Sequence, residues 1–139
     1  MTRQELETKI QEAVRSNQAC AFATIEGNKP KVRYMMLFQD GMTLYMATDR
    51  KSHKVDELEA NPHVSLVAGY DGTWTSPVLE LEGTARVSDD PSLKQRFWSD
   101  ELFRKYFEGP DDPDYVLLEV KPTRILYAQD DRVDTWEQE

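Results

Sequence analysis

Apolar residues recur along this chain at two spacings, and the switches between them mark out its elements. Near the start, Leu6, Ile10, Ala13 and Val14 repeat at the helical period, and Thr2 followed by Glu5 has the form of a capping box. The pattern predicts an amphipathic helix over 3–16, ended by Ser16-Asn17. The period then falls to two. Residues 19–25 are small, apolar and β-compatible, and Glu26-Gly27-Asn28-Lys29-Pro30 is turn chemistry. The run 31–39 puts Val32, Tyr34, Met36 and Phe38 on one face and Arg33, Met35 and Leu37 on the other. Asp40-Gly41 signals a hairpin into a third strand over 42–48, so a three-stranded antiparallel meander is expected.

Charge breaks the pattern over 49–54, and Val55 and Leu58 then suggest a short helix stopped by Asn61-Pro62. Residues 63–70 return to β, with a turn at Asp71-Gly72. Over 78–87, Val78, Glu80 and Glu82 alternate with Leu79, Leu81 and Gly83, as on a half-exposed strand. Asp90-Pro91 has the form of a helix start, a cap followed by a proline at the first helical position. Leu93, Phe97, Phe103, Tyr106 and Phe107 give the following helical region a bulky apolar face. After the stiff segment Gly109-Pro110-Asp111-Asp112-Pro113, strands are expected over 115–120 and 124–127, on either side of Lys121-Pro122. Residues 130–139 are dominated by charged and amide side chains and read as a flexible tail.

The count is about seven strands and three helices with no repeated βαβ unit, a mainly β (α+β) protein whose antiparallel strands are expected to close into a barrel. At 139 residues the chain fits one domain, 1–139, with 1–17 its N-terminal helix.

Charge narrows the partners. Seventeen basic residues against 26 acidic ones leave a net charge of −9, which argues against nucleic acid or an anionic membrane surface. No apolar run reaches the roughly 20 residues of a membrane span, and the charged start is unlike a signal peptide. The lone Cys20 excludes a disulfide framework and sits where a small core hydrophobe belongs. His53 and His63 are too few for most transition-metal sites.

Against that acidic background, Arg50-Lys51-Ser52-His53-Lys54 places three cations and a histidine in five positions, just before a predicted helix. Backbone N–H groups, hydroxyls and cations together are what a phosphate monoester requires, and Arg33 on a nearby strand could add a bidentate contact. A solvated loop ahead of a capped helix explains the same residues. No Ser-His-Asp pattern, P-loop, dinucleotide fingerprint or paired-acid site can be argued.

The order of features carries a resemblance. Lys31-Val32-Arg33-Tyr34-Met35-Met36, Gly41-Met42-Thr43-Leu44-Tyr45, Thr48 through Ser52-His53-Lys54-Val55, and Asn61-Pro62-His63-Val64-Ser65-Leu66 together resemble the pyridoxamine 5'-phosphate oxidase-like superfamily. The segment from Phe107 through Gly109-Pro110-Asp111-Asp112-Pro113 to Val120 is similar to the general stress protein 26 group within it. The resemblance covers about residues 5–128 and implies a split antiparallel β-barrel that forms a homodimer, with FMN in a cleft between subunits.

Carried over by motif, Arg33, Ser52 and Lys54 would hold the FMN phosphate, with His53 in place of a usual arginine. Backbone around Tyr34, Met35 and Met36 would face the isoalloxazine, and Ala47 and Thr48 would meet the flavin or its ribityl chain. The aromatic residues Trp74, Phe97, Trp98, Phe103, Tyr106 and Phe107 are generous for so small a core, and some are expected at the subunit interface.

Departures from the family bear on the reaction. Phe38 stands where the true oxidases have a lysine for the substrate phosphate, and Pro77-Val78 where they have a flavin-contacting glutamine. Their closing Arg-x-His segment has no counterpart. Pyridoxamine phosphate oxidation is therefore not expected. What remains is an FMN-dependent oxidoreductase acting on an unidentified small substrate, or a non-catalytic flavin-binding or stress-related module. A third alternative is the same fold carrying haem or a deazaflavin. A cytoplasmic location is expected.

Overall fold

The computed structural model describes residues 1–17, 19–73 and 75–139. Trp74, among the rings considered for an interface, lies outside them. Helix α1 spans Arg3–Asn17; the Glu5 N–H donates to Thr2 Oγ1 at 3.1 Å, and Leu6, Ile10, Ala13 and Val14 are buried. Strands β1 (Ala19–Glu26) and β2 (Lys29–Met36) form a hairpin at Gly27, whose φ of 65° suits a residue without a Cβ. Strands β3 (Phe38–Asp40) and β4 (Thr43–Asp49) turn in the same way at Gly41. Helix α2 (His53–Ala60), β5 (His63–Ala68) and β6 (Val78–Ser88) follow. Next come α3 (Pro91–Phe97), α4 (Asp100–Phe103), β7 (Tyr115–Gln129) and β8 (Arg132–Glu137).

The strands pair antiparallel in the order β2-β1-β5-β6-β7-β4-β3, with β8 also on β7. The expected meander is corrected here. The run 31–39 is two strands at opposite ends of the sheet, separated only by the buried Leu37. Because one residue joins the sheet's two ends, the sheet must curl until they meet. It is a split antiparallel barrel with α1 to α4 around it.

Two further expectations are overturned. Residues 115–120 and 124–127 belong to one long strand. Its first half pairs with β4, its second half with β8, and β6 runs along its other edge. Pro122 is tolerated because the register shifts between Glu82 and Gly83, which faces it. A Cβ on Gly83 would lie 2.4 Å from the Lys121 carbonyl oxygen, so the close approach requires glycine.

Residues 132–137, expected within a tail, form β8. Asp130, at φ 55°, and Asp131 make a tight hairpin turn. Buried Trp136 anchors the strand to α1: its indole N–H donates to Glu7 at 3.2 Å, and the Arg3 guanidinium sits 4.9 Å from the ring centroid.

Phe22, Met46, Leu66, Leu79, Leu118 and Ile125 fill the barrel beneath α1. A second cluster joins Tyr45, Phe103, Phe107, Tyr115 and Leu117 to Phe38, Phe97 and Trp98 under α3 and α4. Most of the rings considered for an interface are thus internal, while Tyr106, past the end of α4, is exposed. Among the described residues, no helix is long and apolar enough to cross a membrane.

Candidate functional site

The site lies where β2, β1 and the start of α2 meet. In the β1–β2 register Arg33 stands beside Phe22 and Met35 beside Cys20, so both point to the inner face of the curled sheet. Tyr34 and Met36 alternate outward, and Tyr34 is 87% exposed. Inside, Arg33 Nη1 donates to Thr24 Oγ1 at 2.6 Å and Nη2 to Glu57 Oε2 at 3.1 Å. The Thr24 hydroxyl donates to the same Glu57 oxygen at 2.5 Å. Burial pushes the Glu57 carboxyl upward, but the Thr24 hydrogen bond and the Arg33 charge outweigh it and hold the carboxyl below its usual range. Glu57 is therefore ionised at neutral pH.

Lys54, one helical turn before Glu57, is half-buried. Burial first, then the nearby Arg33 charge, lower its pKa, and Glu57 and Asp49 oppose them only in part. Arg33, Lys54 and the Glu57 carboxylate meet in a partly desolvated corner, with Asp49 near Lys54 and Glu26 in reach of Glu57. Beside them Thr48 Oγ1 and Ser52 Oγ lie 3.3 Å apart. Ser52 precedes α2 in extended geometry; its side chain does not cap the helix but pairs with Thr48, and the two hydroxyls hold one proton beyond their mutual hydrogen bond. At the start of α2 the Val55 N–H donates to the Ser52 carbonyl at 3.2 Å, and the His53 and Lys54 N–H groups before it are ones that a helix cannot satisfy internally. Cations, hydroxyls and helix N–H groups in one place fit a phosphate dianion.

The structure divides the basic turn in two. Arg50 donates from its backbone N–H to the Asp114 carbonyl at 2.8 Å and from Nε to the Pro113 carbonyl at 2.9 Å, and its guanidinium pairs with Asp89 at 3.2 Å. Lys51 pairs with Asp114 at 3.0 Å. These two fasten the loop between α4 and β7, as a structural role requires. Ser52 and Lys54 face the site, and His53 opens α2 exposed to solvent.

Other candidates separate as well. Thr48 reaches Ser52, but Ala47, next along β4, packs against the aromatic cluster on the other face. Met35 packs against the barrel core. As an edge strand, β2 leaves one side of its Tyr34–Met36 backbone without a strand partner, a row of donors and acceptors open to a flat heterocycle. Cys20 is buried and its thiol is pushed up to about 12, so it is no nucleophile near neutral pH. Among the described residues, no group of His, Cys, Asp and Glu could hold a metal. Sequence reading missed Thr24 and Glu57; only the folded contact between β1, β2 and α2 distinguishes them from other polar residues.

A split barrel with a basic corner at the mouth of its α2 crossing defines a class, and comparison with known proteins names the family. Residues 6–129 match the family described as pyridoxamine 5'-phosphate oxidase. General stress protein 26 of Bacillus subtilis (strain 168) is 36% identical over 126 residues, covering 90% of this chain and 89% of that one. The crystal structure of general stress protein 26 from Bacillus anthracis str. Sterne superposes with a TM-score of 0.86 at 31% identity, covering 96% of this chain and 98% of that one. The chain belongs to the pyridoxamine 5'-phosphate oxidase-like family and is similar to its general stress protein 26 members.

More distant structures share the fold alone. One is a pyridoxamine 5'-phosphate oxidase-related, FMN binding protein of Nostoc punctiforme, with a TM-score of 0.71 at 17% identity, covering 93% of this chain and 87% of that one. Another is a heme binding protein of Mycobacterium smegmatis, with a TM-score of 0.72 at 15% identity, covering 91% of this chain and 56% of that one.

Proposed function

We propose that this chain is an FMN-binding flavoprotein, a homodimer with FMN at the subunit interface, acting as an oxidoreductase on a small substrate. The observation that carries the reading is the convergence of Arg33, Lys54, Thr48 and Ser52 at the start of α2, two partly desolvated cations beside two hydroxyls. Arg33 and Lys54 bind the phosphate, Ser52 and Thr48 donate hydroxyls to it, and His53 adds a donor at the rim. The free edge of β2 at Tyr34–Met36 orients the ring. Bound FMN supplies hydride or electron transfer, which no side chain here can perform.

Haem is the poorer fit, since its histidine ligands would have to be His53 or His63, both exposed at the surface.

An apolar patch supports the dimer. In register across three strands, Tyr34, Ala21 and Val67 form one row on the sheet's outer face, and Val32 lies beside Ala23 in the next. Val32 is 67% exposed and Val67 44%. A second copy laid on this face covers those side chains and closes the cleft beside β2.

A non-catalytic role in storing or sensing FMN is favoured by one observation. Phe38 packs against Phe97 and Phe103, with ring centroids at 5.6 and 6.0 Å, so that position offers a substrate no polar anchor.

The test is FMN titration of the purified protein by flavin fluorescence, with light scattering at micromolar concentration, then reduced nicotinamide with a dye acceptor. Saturable quenching, a dimer and turnover are expected. Absence of quenching overturns the flavin reading, and a monomer overturns the shared cleft. Quenching without turnover selects the non-catalytic role.

A further inference from the structure

Glu57 is costly where it stands. Its side chain is 6% exposed, on the buried side of a two-turn helix, and an apolar residue would fill that place without desolvating a charge. What the carboxylate does there is hold an arginine. Arg33 Nη1 and Nη2 reach Thr24 Oγ1 and Glu57 Oε2, and the Thr24 hydroxyl closes the triangle by donating to the same Glu57 oxygen. A guanidinium has five N–H donors, so three remain for a ligand.

We propose that Glu57 and Thr24 are positioning residues: they hold the Arg33 guanidinium in place for a phosphate monoester and so set the preference for phosphorylated over unphosphorylated flavin. The inference rests on the flavin reading above.

Without this brace, two neighbouring cations repel, and the long Arg33 side chain turns its charge toward water. Ordering it again when ligand arrives would cost side-chain entropy of up to about 2 kcal/mol. The brace meets that cost during folding, the general route by which preorganisation raises affinity. Charge alone argues the opposite way. Glu57 lowers the positive charge of the corner by one unit, so a purely electrostatic role would make its removal tighten FMN binding. The two accounts therefore predict opposite signs.

The test measures dissociation constants for FMN and for riboflavin, which lacks the phosphate, by fluorescence quenching in the wild type, E57A, E57Q and T24V. Thermal melts establish that each variant is folded. The wild type is expected to prefer FMN. E57A should cut the FMN-to-riboflavin preference by about tenfold or more, the size of a lost charge-assisted contact, and T24V by about three- to tenfold. E57Q keeps an acceptor oxygen of the same shape and should stay within about threefold of the wild type. Riboflavin affinity should hardly move, which a general loss of structure would not spare. T24V keeps the side-chain volume and decides the matter if E57A does not fold.

An unchanged preference in E57A and T24V, or a preference raised alike in E57A and E57Q, overturns the positioning role. A wild type that binds both flavins equally overturns the phosphate site itself, and this inference with it.

Discussion

Two buried glutamates in this small barrel each hold an arginine, and only one of the pairs makes a candidate site. Glu119, in the middle of β7, accepts from Arg86 Nε at 2.9 Å and lies 3.9 Å from Lys121, with the Tyr45 hydroxyl at 3.4 Å. Its cations stand in water, Arg86 at 68% and Lys121 at 62% side-chain exposure. Glu57 also faces two cations, but Arg33 is only 25% exposed and Lys54 is half-buried. Solvent screens the excess positive charge beside Glu119. Beside Glu57 the cations are partly desolvated, next to hydroxyls and helix N–H groups, and an anion there can replace the water they have lost. A charge pair by itself marks no site; cations held partly away from water beside hydroxyls and helix N–H groups make a candidate.

The largest expected effect breaks the two pairs in parallel. Arg33→Ala leaves Glu57 buried without its hydrogen-bonded cation and should destabilise the fold by about 3 kcal/mol, the cost of removing one partner of a buried pair. Arg86→Ala removes a solvated partner and should lower Tm by clearly less. Paired thermal melts check this, and equal shifts would erase the distinction between the two corners.

Next in size is Lys54→Ala, expected to weaken FMN by about 1.5–3 kcal/mol, as for a lost charge-assisted hydrogen bond, while Lys121→Ala leaves FMN binding unchanged. The Lys54 pKa is lowered by burial and by Arg33. FMN affinity should therefore fall on the alkaline side at a pH below the ordinary lysine value of 10.5, and Lys54→Ala should abolish that limb. Titrations across pH decide both points.

A smaller effect concerns acid stability. The folded Glu57 carboxyl titrates below its ordinary value of 4.5, so its contribution is fully present above that value and is lost as pH falls through the folded pKa. Glu57→Gln should flatten this part of the acid-unfolding curve. The smallest effect is at Cys20, buried on β1 outside the polar corner, where Cys20→Ser should leave FMN affinity within error. A large loss there would mean that the strand's packing controls binding more than its charges do.

Legibility in the sequence follows the range of the interaction. The cap at Asp90, the hairpin glycines at 27 and 41, and the stop at Asn61-Pro62 are local and read directly from residue type. The division of the run 31–39 at Leu37 is invisible locally, because both halves alternate correctly; only barrel closure separates them. Pro122 looks like a strand end until Gly83 is found opposite it at a bulge. Residues 130–139 look solvated by composition, and the Asp130-Asp131 turn with Trp136 docked on α1 makes them a strand instead. Arg33, Ser52 and Lys54 were legible as isolated candidates for a phosphate. Their brace at Thr24 and Glu57 was not, since it exists only where β1, β2 and α2 pack together.

The phosphorus resonance of FMN, followed across pH with and without protein, tests the central claim most directly. Free FMN, like other phosphate monoesters, titrates with a second pKa near 6. Held by Arg33 and Lys54, the dianion should keep its charge well below that pH, and in Lys54→Ala the titration should move back toward the free value. A bound resonance that titrates as free FMN does would place the phosphate in solvent and contradict the account.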